Sequence, residues 1–211
     1  MIIDLHNHTS ELSLCSIVSV DTLINKYIGK IDGLCITDHN KIFSPSDQKK
    51  IKEKYKDKIK IFFGIEIDTD VGHILMFASN FKQFERVNFD ELKNQAFLEI
   101  VKKVDRDKVA FIWAHPLRWA RLYSKDRYLY KEFLDNFEAI ELLNGNLPEE
   151  TINLTKEKFD KFNVKYTGGS DTHSLEMALK CATKFSVSIQ NEEEFVSALK
   201  NDNYYPIKIG H

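Results

Sequence analysis

Short apolar runs alternate along this chain with polar segments whose few apolar residues recur at helical spacing. Runs such as Ile61-Phe62-Phe63-Gly64-Ile65 and Phe111-Ile112-Trp113-Ala114 have the length and composition of buried strands. On this pattern strands are predicted near 2–5, 33–37, 60–66, 73–78, 109–114, 138–143, 164–168 and 182–188. Ser44-Pro45-Ser46-Asp47 predicts a helix start: a hydroxyl cap, a proline in the first turn and an acid at the third position. Phe89, Leu92, Ala96, Phe97, Ile100, Val101 and Val104 form an apolar stripe at helical spacing. Pro148-Glu149-Glu150 opens a further helix, and Asn191 followed by Glu194 opens the last. Alternating strands and helices imply an α/β fold with a largely parallel sheet, wound as an open sheet or a barrel.

The apolar runs share a second property: they end in polar residues able to bind a cation. Ile2 to Leu5 leads into His6-Asn7-His8, and Gly33 to Thr37 leads into Asp38-His39. Glu66 follows Ile65, and His73 opens His73-Ile74-Leu75-Met76-Phe77. Ala114 leads into His115-Pro116, and Gly168-Gly169-Ser170 into Asp171-Thr172-His173. Packing explains an imidazole or carboxylate at a strand end poorly. Repetition of the pattern suggests strands delivering side chains to one site, as at the carboxyl ends of strands in α/β folds.

At 211 residues the chain is long enough for a substantial core, and one domain is expected. No linker, low-complexity tract or internal repeat interrupts it. The net charge of -2 gives no global basic signal for nucleic acid but leaves room for a local groove. The lysine-rich stretch from Lys49 to Lys60 carries Ile51, Tyr55 and Ile59 at spacings of four, the pattern of a solvated helix with one buried edge. Cys15, Cys35 and Cys181 are far apart and form no CxxC pair, which fits a reducing compartment. With no signal-peptide pattern at the start and no apolar run near the ~18 residues of a membrane span, a soluble cytoplasmic protein without membrane attachment is expected. Phosphate-loop, dinucleotide-fold and GxSxG signatures are absent from the sequence.

The strongest local signal is His6-Asn7-His8. Side chains two apart in a strand point the same way, so two imidazoles can chelate one ion. Asp171 and His173 repeat that spacing just after a strand, where Gly168 and Gly169 allow close backbone approach. Glu66 lies within an apolar strand, where a carboxylate costs several kcal/mol unless paired or metal-bound; a buried ion pair is the competing reading. Asp4 and Asp38 adjoin the candidate ligands. Orientation of the rings and ordinary turn capping are both open to them. For Cys35 and Cys181 core packing is expected.

With these residues assembled, the chain resembles the PHP family, named for polymerase and histidinol phosphatase. The resemblance rests on Asp4-Leu5-His6-Asn7-His8-Thr9, Ile36-Thr37-Asp38-His39-Asn40, Gly64-Ile65-Glu66, Gly72-His73-Ile74-Leu75, Ala114-His115-Pro116 and Gly169-Ser170-Asp171-Thr172-His173, in family order. It implies a single PHP-type phosphoesterase domain over 1–211 and a distorted (β/α)7 barrel with a metal site at the C-terminal ends of the strands. The site implied holds two or three divalent ions of the manganese, zinc or iron class. By the same resemblance His6, His8, Glu66 and Asp171 are ligands of one metal, and Glu66 bridges to a second held by His73 and His115. His39 and His173 hold a third. Here the chain departs from the common pattern, which places an acid or histidine shortly after the HxH. It reads Thr9-Ser10-Glu11-Leu12-Ser13-Leu14-Cys15, with Glu11 the expected substitute ligand and Cys15 behind it.

The reaction implied is hydrolysis of a phosphate ester by metal-activated water, with Glu66, His173 and Arg118 as the residues expected to carry the chemistry. Arg118 and Arg121 follow His115 closely, and Arg118 lies nearer the strand end, where a guanidinium can balance phosphate charge. Glu141 and Asn144 end the sixth strand, where they line the barrel or fix water or substrate. A small phosphomonoester is the expected substrate. A short oligonucleotide held by a few arginines and by Trp113, Trp119 or Tyr123 is the alternative, with Trp113 also suited to the core. A non-catalytic metal-binding or regulatory module is the third reading. Oligomeric state is left open by the sequence.

Overall fold

In a computed structural model of the chain, residues 1–87, 89, 96–118 and 130–210 are described. The elements run β1 (Ile2–Asp4), α1 (Val20–Tyr27), β2 (Gly33–Ile36), α2 (Pro45–Tyr55), β3 (Lys60–Thr69), β4 (Gly72–Ala78), α3 (Lys82–Glu85), α4 (Phe97–Lys103), β5 (Val109–Trp113), α5 (Lys131–Leu134), β6 (Ala139–Asn144), α6 (Glu149–Phe159), β7 (Tyr166–Gly169), β8 (Cys181–Phe185), α7 (Glu192–Asn201) and β9 (Tyr204–Lys208). The predicted helix starts hold. Ser44 accepts from the Asp47 amide at the head of α2, Asn191 accepts from the Glu194 amide at α7, and Pro148 precedes α6. Of the apolar stripe beginning at Phe89, the helix α4 takes up Phe97, Ile100 and Val101, whereas Leu92 lies outside the described residues.

The strands form one sheet in the order β7-β6-β5-β4-β3-β2-β1-β8-β9. β1, β2 and β3 pair in parallel, as do β5, β6 and β7. β4 is antiparallel to both its neighbours, and β8 and β9 are antiparallel to theirs. The sheet is therefore evenly mixed rather than largely parallel. Periodicity gives no strand direction, and the hairpin from Thr69 to Gly72 is too short for a crossover. β9 falls outside the strands predicted by pattern. Its Pro206 is a weak strand signal, accommodated because β9 is the last strand of the sheet.

The sheet curls into a nearly closed barrel, in keeping with the (β/α)7 expectation. Past their ladders, β1 and β7 meet: the Asp171 amide donates to the His6 carbonyl (2.7 Å) and the His8 amide to the Thr172 carbonyl (3.1 Å). Lower in the seam the β8–β9 hairpin intervenes, with the Gly168 amide donating to Thr183 Oγ1 at 2.9 Å. A Cβ on Gly169 would lie 2.5 Å from that of His6, so only glycine lets the two chains close here.

Leu34, Ile36, Ile61 and Phe63 pack outward with α1 and α2 residues, while Phe111, Trp113 and Ile140 pack with Phe97, Phe133 and Phe159. Ile3, Cys35, Phe62, Leu75, Phe77 and Ile112 form a separate cluster with Phe195, Val196 and Leu199 of α7. Phe62 stacks on Phe195 at 4.7 Å between ring centroids. Cys35 and Cys181 are buried, as expected of core cysteines. No helix among the described residues is long and apolar enough to cross a membrane.

Candidate metal centre

Among the described residues, the barrel mouth gathers six histidines and four acids, Glu66, Asp68, Glu141 and Asp171. β1, β2, β3, β5 and β7 end here, and because β4 runs the other way its first residues also open here, with His73 directly opposite Asp68. That is why His73 belongs to the cluster although it starts a strand. His115 and Asp171 stand at φ of 27° and 54°, and Asn40, next to His39, at 49°. Three strand ends thus hold non-glycine residues in the left-handed region, a conformation that persists only where the surroundings impose it.

Glu66 is the hub. Its Oε1 lies 2.8 Å from His73 Nδ1 and 3.1 Å from His115 Nε2. Its Oε2 lies 3.2 Å from His6 Nε2, 3.1 Å from His8 Nε2 and 3.2 Å from His39 Nε2. Asp171 Oδ1 adds a second acceptor, 3.5 Å from His6 Nε2 and 3.2 Å from His8 Nε2. Yet among the described residues neither Glu66 Oε2 nor Asp171 Oδ1 has a hydrogen-bond partner, although both are buried. The nitrogens crowd these oxygens at short range without aiming an N–H at them. Uncompensated, such oxygens cost several kcal/mol each. Lone pairs converging on shared points are the donor arrangement a cation needs.

The charges pull on one another. Burial lowers the affinity of His6 for a proton, but Glu66, Glu141 and Asp171 carry its pKa well above the usual value. For His39, burial is likewise overcome, by Glu66 and Asp68, which push the pKa up to about 11. Burial would raise Glu66, yet His6, His73 and His39 hold it well below the carboxylate range. At His115 burial prevails, helped by Arg118, and its pKa falls.

A supporting layer fixes the rings. Glu141 Oε1 lies 2.9 Å from His6 Nδ1, while Oε2 accepts from the His115 amide and from Asn144. Asp4 accepts from the His6 and Ser170 amides and from the Tyr27 hydroxyl, and Asp38 from Thr9 and Ser13. For both aspartates the structure brings out backbone and hydroxyl bonding rather than contact with the rings. Asp68 joins the site although sequence reasoning misses it: its Oδ1 is 3.2 Å from His39 Nδ1 and 3.4 Å from His73 Nε2. The Glu66-x-Asp68 spacing, the same two-residue repeat as His6/His8, is the signal that could have found it.

Among the described residues, five overlapping groups have donor atoms within 4.8 Å of one another: His6, His8, Glu66 and Asp171; Glu66, His73 and His115; His8, Cys15, His39 and His173; His39, Asp68 and His73; His6, His115 and Glu141. Glu11 is in none of them. It is exposed, and both its carboxylate oxygens take the Val20 amide at 3.0 Å, at the start of α1. The orphan N–H groups and positive end of a helix draw an acid there, so the expected substitute ligand is spent on the helix and Cys15 occupies the place by the rings.

Arg118 reaches inward. Its Nη2 donates to Asn144 Oδ1 at 3.0 Å and pairs with Asp171 Oδ2. Trp113 is fully buried, stacked on Phe137 and bonded to the Val71 carbonyl, so it is a core residue and not a stacking platform. Arg121, Trp119 and Tyr123 lie outside the described residues.

Residues 4–160 match the PHP domain family, and residues 155–204 match the PHP-associated family. A search of curated proteins finds no match. Among solved structures, the chain is similar to PsfC from Pseudomonas syringae PB-5123, with 16% identity, TM-score 0.68, and coverage of 98% of this chain and 91% of PsfC. It is similar to a Bifidobacterium adolescentis protein assigned as a metal-dependent phosphoesterase (16% identity, TM-score 0.60, coverage 82% and 87%). It also resembles the lesion-specific endonuclease PfuEndoQ from Pyrococcus furiosus (17% identity, TM-score 0.62), covering 98% of this chain but 58% of the endonuclease. At these identities the likenesses speak for the fold. The family match itself spans most of the chain and takes in His6, His8, His39, Glu66, His73 and His115, and on that ground this chain belongs to the PHP domain family.

Proposed function

We propose that residues 1–211 act as one PHP-type unit, a metal-dependent hydrolase of phosphate esters whose preferred substrate is a small phosphomonoester. The observation that carries the reading is the pair of buried carboxylate oxygens, Glu66 Oε2 and Asp171 Oδ1, left without hydrogen bonds among imidazole nitrogens. His6, His8, Glu66 and Asp171 form one nitrogen and oxygen donor set; Glu66, His73 and His115 form a second, with Glu66 common to both. Mixed imidazole and carboxylate donors suit manganese, zinc or iron. When bound, such ions supply an activated water and a clamp on the oxygens of an in-line displacement.

The chain's own groups do the rest. Glu141 and Asp68 fix ring orientation through the nitrogens turned away from the cluster. Arg118 borders the cluster at Asp171, where its guanidinium can balance charge on a phosphoryl group. His173, on the same turn as Asp171, lines the same face of the mouth. The membership in a family of metal-dependent hydrolases supports the reaction class. The likeness to an endonuclease keeps a short oligonucleotide as the second substrate class.

The deciding experiment measures metal content and hydrolysis together. Purified protein reconstituted with manganese, zinc or iron is expected to hold two or more ions per chain and to hydrolyse p-nitrophenyl phosphate, with activity lost on chelation. Bound ions with turnover only of a short oligonucleotide would move the assignment to a nuclease. Bound ions with turnover of neither would make it a binding module. One ion or none would remove the polynuclear site.

A further inference from the structure

We propose that Leu14 and Ile17, together with Leu175 on the adjoining turn, form a subsite at the barrel mouth for the organic part of the substrate, so that the preferred ester carries its phosphate on an apolar alcohol rather than on a polyol. The inference rests on the phosphoesterase reading above and names the class of leaving group for it. The loop 10–19 carries an inverted pattern. Ser13 and Ser16 are 2% and 5% exposed, whereas Leu14 and Ile17 are 104% and 82% exposed. Folding alone favours the opposite order, with aliphatic side chains inward and hydroxyls in water. Six large apolar side chains are exposed among the described residues. Three of them, Leu14, Ile17 and Leu175, lie on the two segments that carry Cys15 and His173 of the candidate centre. Exposed apolar residues scattered singly are ordinary; gathered at the opening of a polar site they mark a surface for a ligand.

The serines account for the orientation of the loop. Ser13 Oγ donates to Asp38 at 2.6 Å and accepts from the His39 amide at 3.0 Å, while Ser16 Oγ donates to the His8 carbonyl at 3.1 Å. The Ser10 amide donates to the Val18 carbonyl at 2.8 Å, and the Ile17 amide to the His173 carbonyl at 3.1 Å. The loop is thus fixed to the residues that follow β1, β2 and β7, and Leu14 and Ile17 are left pointing into solvent. That constraint sets where the two side chains stand, but it gives no reason for either to be apolar. A surface fixed before the ligand arrives also loses less freedom on binding. The ligand follows from the place. The buried donor sets are the seat for the phosphoryl group, so the group on the ester oxygen lies outside them, at the rim where Leu14 and Ile17 flank Cys15 and Ser16. Leucine and isoleucine offer a polyol no hydrogen bond, whereas covering them with hydrocarbon removes apolar surface from water on both partners.

Alkylphosphonates test this, because they carry the charge of a phosphate ester, are not hydrolysed, and differ from one another only in the organic group. Ethylphosphonate, hexylphosphonate and 3,4-dihydroxybutylphosphonate are compared as inhibitors of p-nitrophenyl phosphate hydrolysis by the metal-reconstituted full chain. Hexylphosphonate is expected to inhibit at roughly 10-fold lower concentration than ethylphosphonate, less than complete burial of four methylenes would give, because the rim is open on one side. The dihydroxybutyl compound should be no better than ethylphosphonate. In a Leu14→Ser/Ile17→Ser double variant the advantage of the hexyl chain should shrink to about twofold or less, with metal content and circular dichroism unchanged. Leu98→Ser, exposed on α4, is the control and should keep the wild-type ratio. Equal inhibition by all three compounds, or by none, with p-nitrophenyl phosphate still hydrolysed, overturns the subsite and leaves the phosphoesterase reading standing. So does a dihydroxybutyl compound that matches the hexyl one, or a double variant that keeps the full hexyl advantage. Metal-loaded wild-type protein that does not hydrolyse p-nitrophenyl phosphate overturns both.

Discussion

The cluster at the barrel mouth has a floor and a rim, and they are built differently. The floor is His6, His8, Glu66, His115 and Asp171, all buried and all carried by strand ends or by the first residues beyond them. The rim is Cys15, His39, Asp68, His73 and His173, half-buried or exposed, and carried partly by loops and by the antiparallel strand β4. On the floor every donor is surrounded and two oxygens are orphaned. On the rim each imidazole has a second partner within bonding distance. On the proposed function, burial makes a cation the group that would balance the carboxylates of the floor, whereas water can serve the rim. Substitutions on the floor should therefore act on metal and turnover together, and those on the rim should act on one ion.

The sharpest break of that comparison is Glu66→Gln. A neutral amide cannot serve two donor sets at once, and it leaves the rings of His6, His8, His73 and His115 facing no charge at that position. Metal content should fall by more than one ion and kcat/KM by more than about 1,000-fold, beyond the ~100–1,000-fold loss typical of a single electrostatic stabiliser. Wild-type metal content in this variant would reduce Glu66 to a structural acid.

Next in size is Arg118→Ala, which separates charge balance from metal holding. If the guanidinium acts on the phosphoryl group, kcat/KM should drop roughly 100-fold with ion count unchanged. Because Arg118 also pairs with Asp171, metal affinity has to be measured in the same protein. A loss that tracks metal release would make the arginine a positioning residue for Asp171. Arg121→Ala is the control and should lose much less. A collapse there would shift the role to that position.

Glu141→Gln tests the layer under the floor. Its carboxylate holds His6 through Nδ1 and the His115 amide, so its loss should loosen metal binding by about 10–100-fold, the usual effect of removing a ligand-orienting carboxylate. Asp68→Asn does the same on the rim and should sit at the low end of that range, because Asp68 is solvent-accessible. Titration with a competing chelator measures both. An Asp68→Asn effect larger than that of Glu141→Gln would reverse the ordering of floor and rim.

Most of the floor is legible in the sequence, because apolar packing gives no reason for an imidazole or carboxylate where a buried run stops. His6, His8, Glu66, His115 and Asp171 each break an apolar pattern at its end, and each lies where that break predicts. The rim is harder for a physical reason. Asp68 belongs to a strand whose apolar run stops before Glu66, so its inward register is hidden in the last residues of β3. The direction of β4, which brings His73 to the mouth, depends on a short turn and not on periodicity. The β8–β9 hairpin that fills the barrel seam is masked by Pro206, in a strand that only an edge position permits. Between Glu11 and Cys15 the sequence offers two donors and no geometry. Nothing in the pattern reveals that a helix start nine residues on takes the acid.

Glu11→Gln carries the smallest expected effect and tests that last point directly. In the structure the Glu11 carboxylate faces the Val20 amide at the head of α1 and no member of the cluster. A negative charge at a helix N-terminus stabilises by about 0.3–1 kcal/mol at the surface, and salt screens it. Removal of the charge should lower Tm by roughly 1–4 °C, as expected for a chain of this size. The loss should shrink further in high salt. Ion count and turnover should stay at wild-type levels, because no donor of the cluster moves. A variant that keeps its Tm but loses an ion would return Glu11 to the rim, and Cys15 would then have to share the site with it. Thermal unfolding at two salt concentrations, run beside metal analysis on the same preparation, separates the two cases.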